Sequence, residues 1–148
     1  MQLTPNFTLA EFTASDTARR YGLDNTPTPE HLANLRLNAL GMQMVRLLLG
    51  GRAITVLSAY RSPAVNAHPD VRGTPTSAHP MGYATDFRAA GLSSYYAAKL
   101  VVDKLPYDQL IHEPSRLLVH ISFDPRLRMQ ALTQRGGPGT PMIAGIHP

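Results

Sequence analysis

The most regular pattern of apolar and polar positions lies in the first third of the chain. After Thr28-Pro29-Glu30, a helix start with proline at its first position, apolar residues recur at three- and four-residue spacing until Gly50-Gly51. The recurring residues are Leu32, Leu35, Ala39, Met42, Val45 and Leu49. This spacing predicts one amphipathic helix that buries a single face.

Two further helices are predicted from their start signals. Thr8-Leu-Ala-Glu11 fits a capping box, and a short helix should follow it and end by Tyr21-Gly22. Ser93 is placed to cap a helix that ends before Pro106. The apolar face expected for that helix consists of Ala97, Leu100, Val101 and Leu105.

Four segments have the composition of β-strands: 54–60, 83–87, 109–113 and 117–123. In the last segment Val119 and Ile121 point to one side and His120 to the other, because side chains alternate along a strand. Residues 62–82 form a long loop, a feature that is often functional. We expect an α+β fold in which helices pack on one side of a small antiparallel sheet.

Length and composition favour a single globular domain. The chain has 148 residues, of which 43% are hydrophobic and 16% charged. We expect one domain over 1–148, with a core at about 5–125 and an irregular tail at 135–148. There is no cysteine, which excludes disulfides, thiolate catalysis and cysteine-ligated zinc. Any metal must therefore be held by His, Asp or Glu.

The charge of the chain and the composition of its segments limit the binding partners and the location that we expect. The net charge is +4, but the arginines are scattered and form no tract, so we expect no nucleic-acid binding; an anionic cell-wall polymer suits such a surface. No apolar run is long enough to span a membrane, so we expect no membrane insertion. The N-terminus has no signal-peptide pattern, so an extracytoplasmic role would need another route of export.

Two strand residues require partners. Asp86 stands beside Phe87 and His120 lies in an apolar strand, and buried polar groups without partners are costly. From the pattern alone, an ion pair with Arg61 or Arg88 explains Asp86 as well as a metal does. The remaining histidines His31, His68 and His147 read as ordinary polar residues.

A catalytic metal site is the alternative explanation for Asp86 and His120. His79, Asp86 and His120 would supply two imidazoles and a carboxylate, and a water would complete the zinc tetrahedron. Such a site needs a general base, for which Glu113 is the best-placed carboxylate, although on spacing alone a solvated turn residue is the better explanation of Glu113. His112 is a second candidate base, but strand alternation turns it away from the side of Glu113.

Four ordered motifs, SAYRSP, SAHPMGYATDF, YDQLIHE and LLVHISF, together resemble the D-Ala-D-Ala metallopeptidase family. Its members are zinc carboxypeptidases and bacteriophage endolysins that cut the peptide part of peptidoglycan. The resemblance covers roughly residues 5–125. The residues that match the family pattern SxHxxGxAxD and its later histidine are Ser77, His79, Gly82, Ala84, Asp86 and His120.

The resemblance implies Zn²⁺ on the open face of the sheet, bound by His79, Asp86 and His120. It also implies that Arg61 anchors a substrate anion or carbonyl, and that Ser77 bonds the substrate or orients the loop. Gly82 would let the chain bend so that the ligands converge.

Two positions depart from the family pattern. Leu118 stands where many relatives have tryptophan, and Leu117 where they often have the acidic base. Glu113 must then act as the base from the neighbouring strand.

The function expected is that of a zinc-dependent peptidoglycan peptidase acting on stem peptides that contain D-amino acids. It would be a phage-type lysin or a D-Ala-D-Ala carboxypeptidase-like enzyme. The alternative is a non-catalytic cell-wall-binding or structural module that retains the zinc site. We expect a monomer, made in the cytoplasm, that reaches the cell wall after release or as part of a virion.

Overall fold

Five α-helices, a single-turn 3-10 helix at Pro114–Arg116 and eight strands make up the computed structural model, which describes residues 1–148. The helices are α1 (Leu9–Thr13), α2 (Asp16–Tyr21), α3 (Pro29–Leu48), α4 (Pro63–Asn66) and α5 (Ser94–Val101). The strands are β1 (Gln2–Thr4), β2 (Phe7–Thr8), β3 (Ile54–Ser58), β4 (Ala84–Ala89), β5 (Gln109–Glu113), β6 (Leu118–Ser122), β7 (Gln130–Thr133) and β8 (Ile143–Ala144). None of the helices combines the length and apolar composition required to cross a membrane.

A six-stranded sheet in the order β3-β4-β6-β5-β7-β8 organises the fold, and β1 and β2 form a separate hairpin. The pairs β3–β4, β4–β6 and β5–β6 are antiparallel, which confirms the predicted α+β class with its antiparallel sheet. The pair β5–β7 is parallel and was not predicted. The strands β7 and β8 are too short to show an alternating pattern in the sequence; β7 forms on the free edge of β5, and β8 pairs with β7.

The helices α3 and α5 pack on one face of this sheet. Their buried side chains meet strand residues of the same core cluster, including Phe87, Leu110, Val119 and Ile121. Full burial of such a side chain contributes about 1.5–3 kcal/mol. Because alternate residues point to the opposite face, the even-numbered positions of β4 and β6 and the odd-numbered positions of β5 are left free for a site.

The predicted helix starts are confirmed, but several ends differ. Thr8 and Glu11 form the capping box, and Thr28 caps α3. The N-terminal helix is divided in two, because Ser15 caps a new helix, α2. The helix α5 ends at Val101, and Leu100 is exposed instead of buried because it lies beside the Ala97–Val101 row that faces the sheet.

The tail is less irregular than expected. Ile143–Ala144 pair with β7, and Ile146 joins the core cluster. The backbone amide of His147 donates to Thr133 Oγ1, whose hydroxyl donates to the carbonyl of Gly145. These bonds hold the tail against the sheet edge. Because they are long-range bonds, the local composition of the tail alone could not reveal its structure.

Candidate metal centre and catalytic cleft

Strand register brings two of the predicted ligands together. Asp86 on β4 lies directly opposite His120 on β6, and His120 lies opposite Ile111 on β5. All three side chains therefore point away from the helices. His79 reaches the same point from the loop before β4, and the potential ligand atoms of His79, Asp86 and His120 all lie within 4.8 Å of one another.

The buried imidazole of His79 is oriented for a metal. Its Nδ1 donates to the carbonyl of Ala59 at 2.6 Å, so the proton resides on that nitrogen. Its Nε2 is buried, has no hydrogen-bond partner and faces Asp86 Oδ1 at 3.3 Å. Burial lowers the pKa of His79 to about 4, which keeps the ring neutral at pH 7. A lone pair and a carboxylate oxygen that face each other in this way fit a bound cation.

The carboxylate of Asp86 has a different partner on each oxygen. Oδ1 lies 2.8 Å from His120 Nδ1, and Oδ2 accepts from Arg61 Nη2 at 3.3 Å. Burial opposes ionisation, but the imidazoles of His79 and His120 outweigh it and hold the pKa of Asp86 well below its usual range. The predicted ion pair and the predicted metal cluster are thus both present. Arg88 takes no part, because it donates to the carbonyls of Leu117 and Arg116.

The loop that carries His79 is shaped by the two motif residues that the resemblance singled out. Ser77 Oγ accepts from the backbone amide of His79 at 3.2 Å. Gly82 has φ +83°, in the left-handed region, and its amide donates to the His79 carbonyl. A Cβ at this position would lie 3.0 Å from the carbonyl oxygen of His31, so glycine is required both for conformation and for space.

Two asparagines of α3 hold this loop, and sequence reasoning missed them. Asn38 is completely buried; its Nδ2 donates to the carbonyls of Gly82 and Ala84, and its Oδ1 accepts from the Thr85 hydroxyl. Asn34 Nδ2 donates to the carbonyl of Met81. The available signal was the presence of two amides, four positions apart, next to the apolar face of a helix.

Glu113 lies in the same cleft and is buried at 5% exposure. Arg116 Nη1 donates to its Oε2 at 2.9 Å. Burial, followed by repulsion from Asp86, raises the pKa of Glu113, and Arg116 opposes that rise. Glu113 is therefore no solvated turn residue. Leu117, which stands where relatives often have the acidic base, has φ +52° and an exposed side chain.

His112 lies on the other face of β5. Its Nε2 is 2.9 Å from Ser94 Oγ on α5, and its Nδ1 is 2.8 Å from the carbonyl of His147 in the tail. This placement confirms that strand alternation turns His112 away from the side of Glu113. Because His112 does not line the cleft, it is not positioned to act as the base.

The cleft around these residues has a volume of about 250 Å³. Arg61, Ser77, His79, Asp86, Glu113 and His120 all line it. A second cavity, also lined by Arg61 and Asp86, lies against the α1–α2 connection and β3.

The chain was also compared with known proteins. No curated protein sequence matches it significantly. A family model described as peptidase M15 matches residues 5–122, which is most of the chain and includes every residue of the centre. The chain therefore belongs to the peptidase M15 family of D-Ala-D-Ala metallopeptidases.

Proposed function

We propose that this protein is a zinc-dependent peptidase that hydrolyses amide bonds in peptidoglycan stem peptides containing D-amino acids. The observation that carries the proposal is the buried, unpartnered Nε2 of His79 opposite Asp86, with Glu113 in the same cleft. Two imidazoles and one carboxylate form a zinc ligand set that leaves a position open for catalysis.

His79, Asp86 and His120 would hold the metal. Zn²⁺ bound there supplies Lewis-acid polarisation of the scissile carbonyl and lowers the pKa of a bound water. Glu113 takes a proton from the attacking water and passes it to the leaving nitrogen. A base with a raised pKa suits this double role, because it holds the proton long enough to return it.

Arg61 is placed to contact the substrate as well as the ligand Asp86. Its Nε donates to Ser58 Oγ, and its two terminal nitrogens lie within bonding distance of Asn66 and Asp86. A guanidinium has five N–H donors, so these three bonds leave two for a carbonyl or a developing oxyanion. Ser77 is occupied with the amide of His79, which supports a role in orienting the loop.

The shape of the cleft favours cleavage of an internal bond. A carboxypeptidase needs a blind end that receives the terminal carboxylate, whereas here a second cavity lined by Arg61 and Asp86 adjoins the cleft. We therefore favour an endopeptidase of the phage-lysin type over an enzyme that releases terminal D-Ala. The non-catalytic wall-binding alternative is less favoured, because a buried carboxylate, that of Glu113, lines the same cleft as the clustered residues. Monomeric state, virion association and action after release stay predictions.

Mass spectrometry of peptidoglycan digested by the zinc-reconstituted protein tests this proposal. We expect fragments with new amino and carboxyl ends inside the stem peptide or crosslink. Release of D-Ala alone would establish a carboxypeptidase instead. Absence of any peptide product would contradict the proposed function.

A further inference from the structure

Arginines surround the cleft beyond the metal centre, but most of their charge is neutralised. Arg128 donates through Nε and Nη2 to the buried Asp108 at 2.8 and 2.7 Å. Arg126 pairs with Asp124 at 3.0 Å, and Arg116 pairs with Glu113. The exception is Arg72, which lines the cleft and forms no ion pair with any carboxylate.

The backbone holds Arg72 in an unusual conformation. Its φ is +55°, in the left-handed region that residues other than glycine rarely occupy. Its amide donates to the carbonyl of His68, and the next amide, that of Gly73, donates to the carbonyl of Asn66. Asn66 Nδ2 also donates to the Thr74 carbonyl, so bonds hold the loop at Arg72 and at the two residues that follow it. Strain of this kind in a well-bonded loop is typical of ligand-binding positions.

The wall that shares the cleft with Arg72 comes from outside the family match. Residues beyond 122 supply Arg126, Arg128, Gln134, Pro138, Gly139 and Met142 to the cleft lining. Their position follows from the parallel β5–β7 pair and the bonds of the tail. His79, Asp86, His120 and Glu113 all lie within the matched region, so none of them belongs to this wall.

We propose that Arg72 is a specificity-determining residue that binds a free carboxylate of the peptide substrate. This inference rests on the proposed function, since it concerns the substrate of the same cleft. A guanidinium without an internal partner recognises a carboxylate through two parallel N–H···O bonds, whereas a neutral carboxamide offers one acceptor and no charge. The enzyme should therefore prefer acidic stem peptides to amidated ones.

Two synthetic stem peptides of one sequence test the proposal, the first with free carboxylates and the second with each converted to a carboxamide. We expect the zinc-loaded enzyme to show a kcat/KM about 10- to 100-fold higher for the acidic peptide, the effect of a charged hydrogen bond of about 1.5–3 kcal/mol. Arg72→Ala should remove this preference through KM, with little change for the amidated peptide, and Arg72→Lys should keep part of it. Arg135→Ala is the matched control, because it removes an equal, exposed charge outside the cleft lining.

Equal kcat/KM values for the two peptides, or equal losses on both in Arg72→Ala, would overturn the role of Arg72 while leaving the peptidase intact. If the wild type cleaves neither peptide, the proposed function is contradicted, and the role of Arg72 is not yet decided by that result. Calorimetric binding of the two peptides to zinc-loaded Glu113→Gln then tests Arg72 separately. A preference for the acidic peptide that Arg72→Ala abolishes supports the inference, and its absence overturns it.

Discussion

Asp86 and His120 lie directly opposite each other on the adjacent antiparallel strands β4 and β6, with Oδ1 and Nδ1 2.8 Å apart. The neighbouring pair, Phe87 and Val119, faces the helices instead. A register slip of one residue would move both candidate ligands into the core, so the packing that fixes the sheet also fixes the candidate metal centre. Metal binding and folding should therefore be coupled.

Zinc should stabilise the folded protein, and a chelator should lower its Tm. At a free zinc concentration about one hundred times Kd, linkage gives about 2.7 kcal/mol. His79→Ala, Asp86→Ala and His120→Ala should each lose the bound equivalent and the stabilisation, which equilibrium dialysis and thermal melts measure. His68→Ala, outside the centre, is the control. A ligand variant that still binds one equivalent would exclude that residue from the centre.

Arg116 should set the acidic limb of the pH–rate profile. In the proposed mechanism Glu113 acts as a base only when ionised, so activity should fall as pH drops through its pKa, which burial has raised above the ordinary value. Arg116→Ala removes a charge that lowers this pKa, so the limb should move to higher pH. The control Arg135→Ala should leave the profile unchanged. A limb that stays in place in Arg116→Ala would show that Arg116 does not tune Glu113.

The parts of the fold that local patterns determine were predicted well. The spacing of Leu35, Ala39 and Met42 located α3, and the segment predicted over 109–113 is the strand β5. The motif around His79 and Asp86 identified the cluster that the structure brings together. In each case neighbouring residues in the chain carry the information.

The features that were not predicted from the sequence depend on contacts between distant segments. The parallel pairing of β7 with β5 depends on a strand edge more than 15 residues away in the sequence. The bonds of Asn38 reach the carbonyls of Gly82 and Ala84, which no periodicity in α3 reveals.

Replacement of Asn38 should destabilise the protein more than replacement of Asn34. Asn38→Ala leaves two carbonyls and the Thr85 hydroxyl without a buried partner, for a loss of about 3 kcal/mol in the free energy of unfolding. Asn34→Ala removes a single bond to Met81 and should cost about 1 kcal/mol. Urea denaturation of the two variants measures the difference. Equal losses would contradict the assignment of Asn38 as the principal support of the loop.

His112 should matter for stability and not for catalysis. His112→Ala removes the contacts that join Ser94 of α5 and the carbonyl of His147 to β5, so the free energy of unfolding should fall by about 2 kcal/mol. The kcat of the folded variant should stay at the wild-type value. A large loss of kcat at unchanged zinc content would show that His112 takes part in catalysis.

The most direct test of the account compares zinc-loaded wild type with zinc-loaded Glu113→Gln on the same peptidoglycan. Both proteins should bind one equivalent of zinc, because Glu113 is not among the clustered ligands. The variant should hydrolyse stem peptides about 10²- to 10⁴-fold more slowly, the contribution typical of a general base. Asp103→Asn, an exposed carboxylate outside the cleft, is the control and should behave as wild type. Unchanged turnover in Glu113→Gln at full zinc occupancy would contradict the mechanism.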